Sequence, residues 1–307
     1  MIRGRTRLLA VPLALAVAAC SSSTATPATT TGSQSSVTTL GGACDKSTLK
    51  TTTSGKLTIG TDNPAYPPYF AAPSPSVAPP APWELGDPTN GQGFESATAY
   101  AIAAKLGYSA SDVTWTVVAF DQSFAPGAKT FDMYLAQVSY TADRATAVDM
   151  SDGYYFVNQA VIAFGDNPVA KAKTIGDLAK YKFGAAQNTT SYDTIQTTIK
   201  PSQAASVYNT NDDAVSALKA KQIDAIVVDL PTAFFITATE LDNGVIVGQF
   251  PAATGANAEH FSAVLAKGSA LTTCVNQAIA ALKADGTLDA ITKTWLSDKA
   301  SAPVFGQ

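Results

Sequence analysis

The sequence predicts an α/β protein, and three observations lead there. Strand-like runs alternate with helical ones from Lys56 to Glu240, the pattern of helices packed on largely parallel sheets. The chain has 307 residues, enough for two lobes of ordinary size or one large domain. Hydrophobic residues make up 46% and charged residues only 14%, so the chain can bury a core and is not a mostly disordered one.

The elements follow in order. Lys56 to Gly60 alternates as a strand does and enters a loop through Pro64, Pro67 and Pro68. Ala71 to Pro82, rich in Pro, Ala and Ser, reads as a surface insertion. Glu95 to Leu106 has helical periodicity and stops at Gly107, a natural C-terminal cap. Thr114 to Phe120 is β-branched and aromatic, hence a strand, and Asp132 to Val138 reads as another. A second series opens with Ala160 to Phe164. Its further strands are Lys182 to Ala186, Ser206 to Tyr208, Asp224 to Asp229 and Val245 to Val247. Helical stretches near 174–180, 191–199, 211–220 and 231–240 separate them, and the chain is helical again from Leu271, broken at Gly286. No internal repeat is evident.

Composition excludes several functions. Twenty basic against 24 acidic residues, with no basic stripe, argue against a nucleic-acid partner. One His and three scattered Cys do not make the usual zinc sites, so neither metal nor cofactor is expected. His260 reads as structural, and nucleophilic catalysis lacks an obvious base.

Arg3, Arg5 and Arg7 precede an apolar run from Leu8 to Ala19. As a helix that run spans about 18 Å, too short for a hydrocarbon core of about 30 Å. It has the form of a secretory signal, residues 1–19. Val17-Ala18-Ala19-Cys20 resembles the bacterial lipobox, which implies cleavage before Cys20 and a lipid on its sulfur; an ordinary signal with an incidental Cys is the alternative. Residues 20–43 are small and uncharged up to the start of the globular part and read as a flexible tether. In an oxidising compartment Cys44 and Cys274 are then expected to pair, with two buried free thiols as the alternative.

Several blocks occur together in a telling order. They are Lys56-Leu57-Thr58-Ile59-Gly60-Thr61-Asp62 with Tyr66-Pro67-Pro68-Tyr69, then Gly93-Phe94-Glu95, then Asp132. Ser139-Tyr140-Thr141-Ala142-Asp143-Arg144-Ala145 and Asp149-Met150-Ser151-Asp152-Gly153-Tyr154-Tyr155 follow. Gln187-Asn188-Thr189-Thr190, Ile223-Asp224-Ala225 with Asp229, and Leu282-Lys283-Ala284-Asp285-Gly286-Thr287-Leu288 complete the set. Over about residues 55–298 it resembles the bacterial extracellular solute-binding proteins of family 3, the polar amino-acid family. The resemblance implies a two-lobe periplasmic-binding-protein-like fold of type II with two hinge crossings. Residues 44–157 would form the first lobe, 158–252 the second, and 253–307 would complete the first. Both Cys44 and Cys274 would lie on the first lobe. The implied function is capture of a free amino acid and delivery to an ABC permease, by a monomer anchored to the outer face of the cell membrane through its N-terminal lipid.

A free α-amino acid presents a carboxylate and an ammonium, and burying either unpaired is costly. By resemblance Arg144 clamps the carboxylate, a task suited to a planar guanidinium; a surface ion pair with Asp143 or Asp149 is the alternative. Ser139 would offer its hydroxyl to the ammonium and its N–H to the carboxylate, and Gln137 could add an amide or simply fill space. Thr190 precedes a helix, where its N–H suits an anion unless the residue is a plain helix cap. Asp229, at the end of a parallel strand, would point into the cleft and pair with the ammonium, or cap the following helix. Asp62 and Tyr66 would meet the ligand side chain, while Tyr66, Phe120 and Trp83 could each equally be core. Two other functions stay open: a same-fold dehydratase of a cyclic amino-acid precursor, with Glu95 as its acid, and a ligand-sensing ectodomain.

Overall fold

The computed structural model describes residues 38–72, 74, 77–255, 258–296 and 302–306. The expected signal segment 1–19, Cys20 and the tether up to residue 37 lie outside the described residues. The tether ends before residue 43. Leu40, a large apolar side chain in a run of small ones, packs against the first core and donates its N–H to the Lys105 carbonyl.

Along the chain come β1 (Leu57–Thr61), α1 (Phe94–Lys105), β2 (Val113–Val117), α2 (Phe120–Ser123), β3 (Met133–Tyr134), α3 (Ala142–Ala147) and β4 (Asp149–Met150). A first crossing carries β5 (Tyr155–Phe156) and leads to β6 (Gln159–Phe164). Then follow α4 (Ile175–Leu178), β7 (Phe183–Ala186), α5 (Thr190–Thr194), β8 (Ser206–Tyr208), α6 (Asn211–Lys219), β9 (Ala225–Asp229), α7 (Leu230–Thr239) and β10 (Gly244–Gln249). The return crossing carries β11 (His260–Phe261), and β12 (Val264–Leu265), α8 (Leu271–Ala284) and α9 (Thr287–Trp295) finish the sequence.

Two five-stranded sheets result, in the orders β2-β1-β3-β12-β4 and β10-β6-β9-β7-β8. Each is parallel but for one reversed strand, β12 in the first and β6 in the second. The reversed strands are those entered straight from a crossing. A parallel neighbour needs a long crossover, normally a helix, which these short entries lack. The crossings themselves pair antiparallel, Tyr155 with Phe261 and Phe156 with His260.

Each sheet has its own core. Leu57, Ile59, Phe94, Ile102, Phe261 and Ile279 belong to one buried cluster; Ile162, Leu218, Ile226, Val228 and Ile236 belong to another. β6 is buried from Gln159 to Ala163, as a central strand covered on both faces must be. Gly93 opens α1 at φ 97°, and a Cβ there would lie 2.4 Å from the Tyr69 carbonyl. Only glycine allows the proline-rich loop to approach so closely. Cys44 and Cys274 are disulfide-bonded, joining the turn at Gly42–Cys44 to α8.

Some elements are shorter than the sequence predicts. The strand expected over Asp132 to Val138 pairs only at Met133–Tyr134, because the chain turns at Gln137, which has φ 53°. The strand expected to reach Phe120 stops at Val117, and Phe120 begins α2. The end of the chain departs further from expectation. Residues 253–307 were expected to complete the first lobe, yet Val304 bridges to Gln249 and Gly306 to Thr174. Phe305 is buried among Val161, Phe183 and Phe250. One aromatic side chain finds a vacancy beside Gly248 on the second sheet and draws the tail there.

Candidate functional site

A cavity of about 110 Å³ lies between the sheets, where strands end and loops begin. On one wall are Thr61 at the end of β1 and Asp62 after it, Ala136 and Gln137 after β3, Phe120 of α2, and Arg144 of α3. Facing them are Ala186 at the end of β7 with Gln187 and Thr189 to Ser191 beyond it, Asn209 to Asp212 after β8, and Asp229 at the end of β9. This is the crevice beyond the carboxyl ends of parallel strands where α/β sheets hold ligands. At roughly 12 Å³ per water-sized sphere it has room for several waters, and hence for a small polar solute.

Arg144 is fixed from three directions. One Nη donates to the Ser139 carbonyl and the other to the Asn188 carbonyl, each at 2.6 Å. Phe124 lies under the guanidinium at 4.5 Å and Phe120 at 5.4 Å. The second bond crosses the cleft, and it depends on Asn188 adopting φ 59°, which aims its carbonyl at the arginine. Asparagine tolerates that left-handed turn better than most residues. The guanidinium has five N–H donors, so others remain to grip a carboxylate.

Asp229 caps α7 by position but makes no side-chain capping bond. Its Oδ1 instead accepts from Nε2 of Gln159, its strand partner, at 2.6 Å. The same Nε2 reaches Glu259 Oε1 at 3.0 Å, and the Ser191 hydroxyl donates to the other end of the Gln159 amide at 2.7 Å. Burial and the neighbouring Glu259 carboxylate push the Asp229 carboxyl well above its ordinary range, against the pull of Gln159 and Arg144.

The remaining predicted residues fall into place unevenly. Thr190 lines the cavity, but the helix cap is Thr189, whose hydroxyl accepts from the Tyr192 N–H. Ser139 is buried behind the wall, and its hydroxyl donates to Glu259 at 2.7 Å instead of facing the cavity. Gln137 lines the cavity, yet both its backbone N–H and its amide turn to Glu95. Glu95 is fully buried and also accepts from the Tyr154 hydroxyl; burial lifts its carboxyl to about 7 despite these donors. It does not line the cavity, which leaves it poorly placed as an acid toward a bound molecule.

Asp62 and Asp212 also face the cavity, and burial raises both carboxyls above their ordinary range. Tyr66 lines the cavity too, packs edge-on against Phe235 and donates its hydroxyl to Glu240 at 2.6 Å across the cleft. Phe120 is a wall residue, while Trp83 is core. The described part of the Ala71 to Pro82 insertion does not reach the cavity. His260 bonds the Ala258 carbonyl and stacks on Tyr140.

Sequence reading passed over Gln159, Asp212 and Glu259. Gln159 opens a buried apolar strand, and that lone polar residue in an apolar run was a usable signal. Glu259 had none: only the pairing of β5 with β11 carries it beside Asp229.

Residues 76–298 match the family described as bacterial extracellular solute-binding proteins, family 3. The chain is similar to the arginine-binding extracellular protein ArtP of Bacillus subtilis, 25% identical over 228 residues that cover 70% of this chain and 82% of that one. Among solved structures it is similar to an ancestral arginine-binding protein bound to arginine, at TM-score 0.62 and 26% identity, covering 78% of this chain and 98% of that one. It is also similar to the ancestral amino acid-binding protein AncCDT-1, a precursor of cyclohexadienyl dehydratase, at TM-score 0.61 and 26% identity over 79% of this chain and 95% of that one.

Proposed function

The chain belongs to the bacterial extracellular solute-binding proteins of family 3, and from that premise we propose that it captures a free amino acid with a cationic side chain and delivers it to an ABC importer. Such proteins work outside the cytoplasm, and no described helix is long and apolar enough to cross a membrane. Attachment through a lipid on Cys20 completes the proposal.

One observation carries the choice of ligand. Among the described residues lining the cavity there are one cation, Arg144, and three acids, Asp229, Asp62 and Asp212. A zwitterion uses Arg144 for its carboxylate and Asp229 for its ammonium. Two carboxyls, Asp62 and Asp212, remain on the lining, and a cationic side chain neutralises them where a neutral one would leave buried charge unpaired. The arginine-binding relatives are consistent with that chemistry.

Closure follows because the ligand holds both walls at once and therefore binds the closed form better than the open one. Thermal-shift screening of residues 38–307 against all common amino acids tests the reading. Arginine, lysine or ornithine should raise Tm in a concentration-dependent way. Protection by glutamate or leucine in preference to these would overturn the cationic assignment. Turnover of a cyclic precursor, rather than stoichiometric binding, would favour the dehydratase.

A further inference from the structure

The acid missed by sequence reading has a place in the site. Glu259 sits on the return crossing and makes contact with both walls: Ser139 of the first donates to its Oε1 at 2.7 Å, and Gln159 at the base of the second at 3.0 Å. Through the single Gln159 nitrogen it stands beside Asp229, which lines the ligand cavity. Gln159 and Glu259 also line a second cavity behind the crossings, so the pair spans from the ligand side to the hinge side. Two carboxylates this close in a buried site resist being charged together.

We propose that Asp229 holds a proton in the empty cleft because the Glu259 carboxylate stands beside it, and that the ligand's ammonium replaces that proton, with Glu259 as a positioning residue acting through Asp229. The inference rests on the amino-acid-binding reading. The exchange balances: the pair carries one negative charge when empty and two when the ammonium is bound, and the proton leaves to water, for which the rear cavity offers an exit. Other charged or titratable groups facing Asp229 and Glu259 are Glu95, Arg144, Tyr69, Tyr154 and Tyr155, with Asp193 reaching Arg144. Arg144 favours releasing the proton and Glu95 opposes it. His260, next in the chain to Glu259, turns away to the Ala258 carbonyl and the Tyr140 ring.

A site that gives up a proton on binding gains affinity as pH rises, by up to about tenfold per unit. The test is calorimetry with L-arginine from pH 5 to 8 in buffers of differing ionisation enthalpy. Wild type should release a fraction of one proton per ligand over part of this range and bind more tightly as pH rises. Glu259→Gln should move proton release and the pH slope to lower pH, since burial still raises the Asp229 carboxyl but the neighbouring carboxylate is gone. Ser139→Ala, which removes a donor from Glu259, should move the release midpoint to higher pH. A flat wild-type profile without proton release, or a Glu259→Gln profile like that of wild type, would overturn the proposal. If neither arginine nor any other amino acid binds, the functional reading fails instead, and the ligand-free protein still decides whether Glu259 holds the proton on Asp229. The Asp229 carboxyl titrates higher folded than unfolded, through burial and Glu259, so wild type should lose Tm relative to Glu259→Gln as pH rises from 5 to 8. Parallel Tm profiles would overturn the pair.

Discussion

Arg144 is placed before any ligand arrives: two carbonyls and two aromatic faces hold a side chain that would otherwise lose about 2 kcal/mol of rotamer entropy on binding. Removing one partner of a buried charge pair costs about 3–5 kcal/mol. Arg144→Ala and Asp229→Ala should therefore each weaken amino-acid binding at least a hundredfold by calorimetry, and near-wild-type affinity in both would sink the site. Glu95 makes a separate prediction about pH. Its carboxyl stands at about 7 in the folded protein, above its unfolded value near 4.3. It thus binds a proton more tightly folded than unfolded. Its contribution is fully present below about pH 4 and is lost as pH rises through about 7, by about 4 kcal/mol in all. Glu95→Gln should flatten that part of the Tm decline, and denaturation at pH 5 and pH 8 checks it. At this scale residue type was legible and orientation was not. The sequence already singled out Arg144 and Asp229, whereas the hydroxyl of Ser139 and the amide of Gln137 turn to carboxylates that only the folded chain brings near them.

Among the elements, the loop between β1 and α1 does more than connect. Its residues Tyr66 and Tyr69 reach across the cleft, Tyr66 to Glu240 and Tyr69 to Thr232 at 3.1 Å. Tyr66→Phe removes one bond of the closed arrangement, worth about 1 kcal/mol net. Its ligand affinity should fall about fivefold while Tm without ligand changes little. An unchanged affinity would show that this bond does not help closure. The start of α1 depends on Gly93 because the Tyr69 carbonyl occupies the space a side chain needs. Gly93→Ala should cost at least about 2 kcal/mol, through both a positive φ and the close contact, measurable as a lower urea midpoint. Strand and helix periodicity located most elements from the sequence. Strand ends at β2 and β3 were overrun because nothing in a β-branched run announces where pairing stops.

For the whole molecule, the disulfide ties residues 230 apart in sequence, and both ends belong to the core that includes α1 and α8. It constrains the unfolded chain by about 5 kcal/mol in the loop-entropy account, without tying the two sheets together. Cys274→Ser should lower Tm by several degrees and leave ligand affinity nearly unchanged; a comparable loss of affinity would mean that the bridge also governs closure. The sequence by itself determined the α/β class and the residue types able to hold a zwitterion, because periodicity and chemical character are local properties; the pairing of Cys44 with Cys274 was an expectation that the structure settled. Tertiary structure alone decided that Phe305 closes the second core, that Asp62 and Asp212 line one cavity, and that Glu259 stands beside Asp229. Those are meetings between distant segments. They depend on which sheet a strand enters and how the crossings pair, and neither is written in any single stretch of chain.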